Sequence, residues 1–298
     1  MFKKISIIGC GQIGSSILRD VKKKKISKKI SVFDTSSSVR KKIKKLRLIK
    51  KVEKNLKSTV FNSDLVILCS PVSSYKLIVN SINKNLKKDS ILIDVGSVKT
   101  GIANKIEKTV NKNVSWIPCH PICGAELSGP ENGKQNLFKK RWCILTPGKK
   151  SKKKHVKIVK NFWRKLGSNI KIMNAQDHDR IFSVTSHLPH LIAYNLVKTA
   201  MNLESRNKSN VIQFSGGGLR DFSRIAASNE IMWRDIFISN KKNIIKNIDN
   251  FIRNLDEMKK YIRNNKGQKL KSILAKNKIV RKKIILAKQD ISKPDFGR

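Results

Sequence analysis

The histidine at position 120 lies in a stretch whose composition suits chemistry better than regular structure. Residues 119–133 read CHPICGAELSGPENG, with two cysteines, two acids, two prolines and three glycines around that histidine. The stretch has neither the 3.6-residue period of a helix nor the alternation of a strand, so it is predicted to be a loop. Cys119 and Cys123 flank His120 as zinc ligands could, but no second Cys/His pair at metal spacing lies nearby. We predict no metal site.

A second polar cluster stands where a predicted strand ends. DVGSVK (residues 94–99) closes the fourth predicted strand. Doubly wound sheets bind ligands at the carboxyl ends of their strands, so Ser97 and Lys99 are predicted to face a cofactor crevice. The alternative is a serine in a turn beside a solvated lysine.

A pair of histidines lies in the second half of the chain. SHLPH (residues 186–190) places His187 and His190 three residues apart, which puts both on one face of a helix. Ser186 and a helix-kinking proline beside them favour a functional site. Histidines satisfied inside the core are the alternative.

An arginine cluster follows three successive glycines. SGGGLRDFSRIA (residues 215–226) contains Arg220, Asp221 and Arg224. Asp221 and Arg224 are three residues apart and could pair at a helix start. An arginine fixed by an aspartate is suited to binding a carboxylate with two parallel hydrogen bonds. A surface salt bridge of little consequence is the alternative.

Three glycines near the amino terminus form the pattern G-x-G-x-x-G between a predicted strand and a helix. Gly9 permits the tight turn, Gly11 lets the backbone approach a pyrophosphate, and Gly14 lets the helix pack close to the sheet. The helix N-terminus then presents free N–H groups to the phosphates. Asp34 ends the second predicted strand, where its carboxylate can accept bonds from ribose hydroxyls and repel a 2′-phosphate. The pattern predicts a dinucleotide site with NAD preferred over NADP.

Strand and helix signals alternate through the first part of the chain and then give way to helices. Alternation of this kind predicts βαβ units and a mostly parallel, doubly wound Rossmann-type sheet. After about residue 175 apolar residues recur at helical spacing, with a kink expected at Pro189. We predict an NAD-binding domain over residues 1–174 and an all-helical substrate and dimerisation domain over residues 175–298. The predicted strands are residues 4–10, 29–38, 64–72, 90–100, 116–121, 141–148 and 169–174, and the predicted helices include residues 155–167, 175–202 and 222–264, with a lysine-rich helix or frayed end from about 265.

The composition is strongly basic without a nucleic-acid signature. The 298 residues carry a formal net charge of +46. The lysines are spread along the chain together with many Ile and Asn residues, a mixture that an AT-rich coding sequence would produce. No RNP, zinc-finger or helix-turn-helix pattern accompanies the charge, so no specific nucleic-acid partner is predicted. Five cysteines are an odd number and favour a reduced, cytoplasmic protein over a disulfide framework.

The amino terminus is predicted to be a strand rather than a targeting segment. MFKKISIIGCGQIG has basic residues before an apolar run, as a signal peptide does, but the run is short and interrupted by glycines. No stretch approaches 18 consecutive apolar residues, so no membrane span is predicted.

Taken in order, these clusters resemble the prephenate and arogenate dehydrogenases of tyrosine biosynthesis. The matching pieces cover about residues 5–235, and the strings around His120, His190 and Arg224 are far more specific than the glycine pattern. The pieces are IIGCGQIGSS, DLVILCSPV, DVGSVK, HPICGAELSG, SHLPH and GGGLRDFSRIA. Residues 281–298 are also similar to the end of one bacterial branch, the cyclohexadienyl dehydrogenases.

The resemblance implies roles for individual residues of this chain. His120 matches the catalytic histidine that bonds the ring hydroxyl, and Ser97 matches a serine that supports it near the nicotinamide. Arg224 matches the arginine that holds a substrate carboxylate. The remaining matches are Glu126, His190 and Asp221 in the substrate pocket and Gly9, Gly11, Gln12, Ile13, Gly14, Asp34, Ser70 and Pro71 around NAD. Ala125 departs from the pattern, because threonine is frequent there and its hydroxyl is missing.

The resemblance also implies the reaction. Hydride leaves C4 of prephenate for NAD, the hydroxyl proton goes to a base, the ring carboxylate leaves as carbon dioxide, and the ring becomes aromatic. The substrate would be prephenate or arogenate, and the protein a homodimer joined through its helical domain. One rival is a β-hydroxyacid-type dehydrogenase, which typically uses a catalytic lysine on a helix of its second domain. The other is a basic nucleic-acid-binding protein with a vestigial nucleotide fold.

Overall fold

The fold is described from a computed structural model of the chain. The structure describes residues 1–124, 126–207, 210 and 212–287. Residues 103, 104, 206 and 207 are described by their backbone alone. Ala125 and most of the 281–298 segment that resembles cyclohexadienyl dehydrogenases lie outside the described residues.

A parallel five-stranded sheet forms the centre of the first part of the chain, as predicted. Its strand order is β2-β1-β3-β4-β5, with Ile7 of β1 opposite Val32 on one side and Ile67 on the other. The central strands are continuous apolar runs because both faces of the sheet are covered. The strands are β1 (Phe2–Ile8), β2 (Ser27–Phe33), β3 (Leu65–Leu68), β4 (Ile91–Asp94) and β5 (Ser115–Ile117).

Helices cover both faces of this sheet and divide its core into two apolar clusters. Ile5 and Ile7 pack into one cluster, whereas Ile8 and Trp116 pack into the other. The amphipathic helix predicted at 155–167 spans Lys153–Leu166 and ends at Gly167, whose φ of +105° is the left-handed value that favours glycine. The covering helices are α1 (Gln12–Lys23), α2 (Ser37–Lys45), α3 (Leu56–Val60), α4 (Tyr75–Ile82), α5 (Thr100–Thr109) and α6 (Lys153–Leu166).

The predicted strand 116–121 is two strands in two different sheets. β5 ends at Ile117, and β6 (Cys119–Pro121) pairs antiparallel with β7 (Trp142–Leu145), which pairs in parallel with β8 (Asn169–Ile172). Pro118 lies between them and cannot donate a ladder hydrogen bond, so the pairing breaks there. The loop prediction for residues 119–133 is therefore wrong at its start, because His120 lies on a strand.

The second half of the described chain is helical, as predicted, but it is divided more finely. The 175–202 prediction resolves into α7 (Ala175–Phe182), a π-helical segment (Ser183–His187) and α8 (Leu188–Asn207). Pro189 cannot donate to the preceding turn, which accounts for the irregularity just before it. The remaining helices are α9 (Gly217–Ala226), α10 (Glu230–Ser239), α11 (Lys241–Arg263) and α12 (Gly267–Leu286).

The chain divides into two compact units. The first, Met1–Ile244, contains both sheets and the helices through α10. The second, Ile245–Arg298, contains most of α11 and all of α12, where Tyr261 donates a hydrogen bond of 2.8 Å to Glu257. The boundary between functional domains at 174/175 stays a prediction. None of the described helices is both long and apolar enough to cross a membrane.

Candidate active site

The glycine turn, residues 9–14, joins β1 to α1. Gly9 has a φ of +88°, and a Cβ there would lie 2.7 Å from the backbone of Cys69. A Cβ at Gly14 would overlap the carbonyl oxygen of Gly9, so only glycine lets α1 begin this close to the sheet. A Cβ at Gly11 would meet nothing within 4 Å, which leaves the N-terminus of α1 open to a phosphate group. Each glycine is placed as the dinucleotide pattern requires.

A pair of alanine substitutions separates the packing role from the binding role. Gly14→Ala is expected to lower the free energy of unfolding by about 1–3 kcal/mol because the backbone must shift. Gly11→Ala is the matched control, since its φ of −70° and open surroundings accept a methyl group. Urea denaturation should show a lower midpoint for Gly14→Ala alone, and NAD titration should show weaker binding for Gly11→Ala. Equal midpoints would contradict the packing role of Gly14.

Asp34 lies beside the glycine turn at the end of β2. Its carboxylate accepts hydrogen bonds from the backbone N–H of Cys10 at 2.7 Å and of Ser36 at 2.9 Å. Arg40 donates to the carbonyl oxygens of Asp34 and Thr35. These bonds fix an acidic side chain at the edge where a ribose would lie, so the residues present fit an NAD molecule.

The end of β3 supplies the opposite wall of the glycine turn. The backbone at Ser70 lies against Gly9, and the Ser70 hydroxyl accepts a hydrogen bond from Ser74. Pro71 precedes a short 3-10 helix, Val72–Ser74. The predicted cofactor residues are therefore brought together at one edge of the sheet.

The segment after β6 is fastened to the start of α1. Gly124 lies close to the side chains of Gln12 and Ile13. Further along, the carbonyl oxygen of Pro130 accepts from Ser15 and from Arg19. The segment that carries Glu126 is thus held next to the glycine turn.

An ion pair between Asp94 and Lys99 organises the end of β4. Lys99 is buried, and its Nζ lies 2.6 Å from Asp94 Oδ2. The other carboxylate oxygen of Asp94 accepts from the N–H of Cys119, which anchors β6 to the carboxyl edge of the parallel sheet. The prediction that Lys99 faces the cofactor crevice is therefore wrong, because its charge is neutralised inside the protein. Ser97 lies in the turn between these residues, with its backbone beside His187.

His120 lies on β6, 7% exposed, at the start of the segment that reaches the glycine turn. Its ring packs edge-on against Phe182 at a centroid distance of 4.9 Å. Its Nδ1 lies 2.8 Å from Nε2 of His178. No hydrogen bond joins His120 to Ser97 in the described part of the chain, so the predicted support by that serine has no counterpart in this geometry.

The sequence reasoning missed His178 and its neighbour Asp179. Both are buried on α7, and Nδ1 of His178 lies 2.8 Å from Oδ1 of Asp179. We call His120, His178 and Asp179 the histidine chain. The string DHD at 177–179 was a usable signal, because two acids and a histidine are unusual on a helix that otherwise has an apolar face.

Burial keeps the histidines of this region neutral. It lowers the pKa of His120 well below its usual value, and repulsion from the charge of Lys99, and from His178 and His187 whenever these are protonated, lowers it further. Burial also lowers the pKa of His178, although the bond to Asp179 opposes the shift. A neutral His120 can accept a proton at neutral pH.

The same burial makes stability depend on pH. Burial lowers the pKa of His187 from 6.5 to about 4. Between these values the unfolded chain binds more protons than the folded one, so stability is complete above 6.5 and is lost as the pH falls. His187 alone is expected to remove on the order of 1–2 kcal/mol from the free energy of unfolding between about pH 6.5 and pH 5. Urea denaturation across this range checks it, and a His187→Gln variant with an equally steep loss would contradict it.

Arg224, Glu126 and His190 converge from three different elements. Arg224 Nη1 on α9 lies 3.4 Å from Glu126 Oε2. His190 on α8 donates from Nδ1 to the carbonyl oxygen of Ser186 and stacks on Trp233 at 3.7 Å between centroids. Burial lowers the pKa of His190, and the charge of Arg224 adds to that shift. The structure therefore brings these three predicted pocket residues near one another, and their role in binding substrate stays a prediction.

Asp221 does not join this group through an ion pair. It is exposed on α9, and the described ion pair of Arg224 is with Glu126 rather than with Asp221. The expectation that Asp221 positions Arg224 is therefore wrong. Its role as a pocket residue stays a prediction.

The cysteines are free thiols. Burial raises the pKa of Cys10 and of Cys123 to about 12, so both are neutral at pH 7. In the described residues no group of three or more His, Cys, Asp and Glu side chains is arranged to hold a metal ion.

Comparison with known proteins assigns the two halves of the chain to one family. Residues 17–172 match the model for the prephenate dehydrogenase nucleotide-binding domain, and residues 174–276 match the model for the prephenate dehydrogenase dimerization domain. The second of these matches runs through α7 to α11 and into α12.

Individual relatives agree with this assignment. A cyclohexadienyl dehydrogenase of Zymomonas mobilis is 33% identical over 91% of this chain and 92% of its own. A prephenate dehydrogenase of Bacillus subtilis is 31% identical over 89% of this chain and 72% of its own. The crystal structure of prephenate dehydrogenase from Aquifex aeolicus, in complex with hydroxyphenyl propionate and NAD+, is 33% identical and superposes with a TM-score of 0.88 over 95% of this chain and 99% of that one. The resemblance read from the motifs is confirmed, and the chain belongs to the prephenate dehydrogenase family.

Proposed function

We propose that the protein catalyses the NAD-dependent oxidative decarboxylation of prephenate to 4-hydroxyphenylpyruvate, a step in tyrosine biosynthesis. One observation carries the proposal. His120, buried and held neutral, starts a segment whose Gly124 lies against the glycine turn and whose Glu126 pairs with Arg224. The seven residues from His120 to Glu126 therefore connect a base, the nucleotide site and a guanidinium suited to a substrate carboxylate.

Different residues would hold the pyrophosphate and the ribose of NAD. The backbone of the glycine turn and the N-terminus of α1 would hold the pyrophosphate, and the carboxylate of Asp34 would accept hydrogen bonds from the ribose hydroxyls. Bound NAD supplies the acceptor for the hydride that leaves C4 of the substrate ring.

His120 handles the proton of the substrate hydroxyl. Its neutral ring accepts that proton while the C4–H bond breaks, which increases electron density on the reacting carbon. The carboxylate on the opposite ring carbon leaves as carbon dioxide, and its bonding electrons complete the aromatic ring. The proton then returns to the phenolic oxygen, so no net proton is consumed. Aromatisation makes the reaction downhill, and the protein contributes chiefly orientation and a proton acceptor.

Arg224 binds a carboxylate of the dianionic substrate. Its partner Glu126 limits where the guanidinium can lie, and His190 borders the same space. Arogenate carries an ammonium in place of the keto group, so Glu126 is the residue that could attract it. We propose prephenate as the main substrate and treat arogenate as an outcome of the test.

We also propose that the protein is a homodimer joined through its helical part. The matching family model is a dimerization domain. The second unit exposes large apolar side chains along α11 and α12, namely Ile252, Leu255, Ile262, Leu274, Ile279 and Val280. Surfaces of this kind mark protein–protein contacts.

The direct test is formation of NADH by the purified full chain. Prephenate with NAD should give an increase in NADH absorbance together with release of carbon dioxide. Parallel reactions with arogenate, and with NADP in place of NAD, rank the substrates and the cofactors. Absence of NADH with both ring substrates, together with salt-dependent binding to DNA, would contradict the proposal and favour the nucleic-acid alternative.

A further inference from the structure

We propose that His178, held by Asp179, is a positioning residue that fixes His120 in the tautomer whose lone pair lies on Nε2. The proposal deepens the proposed function and rests on it, because it assigns a task to a residue behind the base. It is carried by the three buried side chains of the histidine chain and by two distances of 2.8 Å between them.

Asp179 determines which atoms donate and which accept in the hydrogen bonds of the histidine chain. Its carboxylate accepts from the backbone N–H of Lys99 and of Thr100, each at 2.8 Å, at the start of α5. Burial alone raises the pKa of Asp179, but the hydrogen bonds from His178 and from Thr100 outweigh it, and the net pKa is lowered. The group is therefore an ionised carboxylate, which can only accept hydrogen bonds.

Each bond in the histidine chain determines the next. Because Asp179 can only accept, Nδ1 of His178 must carry a hydrogen and donate it. A neutral His178 then has its lone pair on Nε2, so the Nδ1 of His120 must carry a hydrogen and donate it to that atom. A neutral His120 is left with its lone pair on Nε2, and that is the atom available to a substrate hydroxyl.

The surroundings of His178 favour this arrangement over a charged ring. His178 is fully buried and packs on Phe182 at a centroid distance of 4.5 Å. Lys99 opposes a positive charge on His178, whereas Asp94 and Asp179 favour one. His187 also lies near and is itself held neutral by burial. When His120 takes the substrate proton, His178 accepts the Nδ1–H bond of the imidazolium and Asp179 stabilises the charge through it.

Two substitutions at position 178 each preserve the hydrogen bond of a different ring nitrogen. The carboxamide of glutamine reaches the position of Nε2 and can accept from His120. The shorter carboxamide of asparagine reaches the position of Nδ1 and can donate to Asp179, but it leaves His120 without an acceptor. His178→Asn is therefore expected to lower kcat by about 10²-fold, the lower end of what a general base contributes. His178→Gln is expected to recover most of that loss.

A purely structural role for His178 predicts the opposite order. If its task were to hold Asp179 and the start of α5, His178→Asn would be the milder change. Equal kcat values, or a milder asparagine variant, would overturn the proposal. His155→Asn is the matched control, because His155 is a buried histidine bonded to Ser115 at the amino end of β5, the sheet edge opposite the site. Its kcat should match that of the unchanged protein.

Two further measurements report on the tautomer and on the pKa of His120, and the first of them needs no variant. Nitrogen NMR of the unchanged protein should show His120 protonated at Nδ1 and free at Nε2, and the reverse tautomer would overturn the proposal. The acid limb of the kcat profile should move to lower pH in His178→Asn, because the imidazolium loses its acceptor. An acid limb that stays in place would also count against it.

The His120→Asn variant distinguishes failure of the base role of His120 from failure of the positioning role of His178. If His120→Asn keeps its turnover, the base role itself fails. If His120→Asn loses turnover while His178→Asn does not, only the positioning role fails.

Discussion

His120→Asn is expected to lose about 10²–10⁴-fold in kcat, the range that a general base contributes. The carboxamide of asparagine takes the position of Nδ1 and can still donate to His178, so the polar contact inside the protein is kept. What disappears is Nε2, the atom that we propose accepts the substrate proton. Steady-state kinetics with prephenate and NAD measures the loss.

The loss should appear in turnover and not in cofactor binding. The contacts expected for NAD lie in the glycine turn and at Asp34, which do not depend on the imidazole. Fluorescence titration should therefore give the same Kd for NAD in His120→Asn and in the unchanged protein. Unchanged turnover would refute the base role, and a large rise in the Kd for NAD would indicate that the substitution disturbs the fold.

The dinucleotide half of the site could be predicted from sequence because its signal is local. Gly9, Gly11 and Gly14 lie within six residues, and the constraint on each follows from one tight turn between a strand and a helix. Asp34 follows at the end of the next strand, and parallel neighbours bring such ends together. The periodicity of the flanking elements was also sufficient to predict the sheet and its covering helices.

The catalytic and substrate half of the candidate site depends on contacts between residues that are far apart in the sequence, which spacing does not reveal. Glu126 and Arg224 are 98 positions apart, and His120 and His178 are 58 apart. Asp221 is nearer to Arg224 and was the natural choice of partner for that reason. Reasoning from sequence favours partners that are close along the chain, such as Asp221 for Arg224. In the folded chain the partner of Arg224 is Glu126, which follows β6 and is distant in sequence. Resemblance located the individual residues, but only the structure shows which of them touch.

The division of strand 116–121 determines which element His120 contacts. If β5 ran on to Pro121, His120 would extend the parallel sheet. Instead Pro118 ends the pairing, and Asp94 accepts from Cys119 to hold the new strand at the carboxyl edge. His120 is thereby turned towards α7, where His178 and Phe182 contact it.

Arg224→Ala is expected to raise the KM for prephenate steeply while kcat changes less. We propose that the guanidinium binds a substrate carboxylate in the ground state and in the transition state alike, so its loss would remove uniform binding. Loss of a charged hydrogen bond costs about 1.5–3 kcal/mol, which corresponds to a rise in KM of about 10- to 150-fold. Steady-state kinetics at saturating NAD measures both constants.

Two matched variants separate a specific contact from a general effect of charge. Arg220→Ala removes the same charge four residues earlier on α9, where the side chain is exposed, and should leave KM unchanged. Arg224→Lys keeps the charge but cannot form two parallel bonds, so its KM should lie between those of alanine and arginine. An equal rise in KM for Arg220→Ala and Arg224→Ala would show that the net charge of +46 attracts the dianion without a specific anchor. Because the guanidinium of Arg224 lies 3.4 Å from Glu126, a partner that limits where it can lie, we expect the specific contact to dominate.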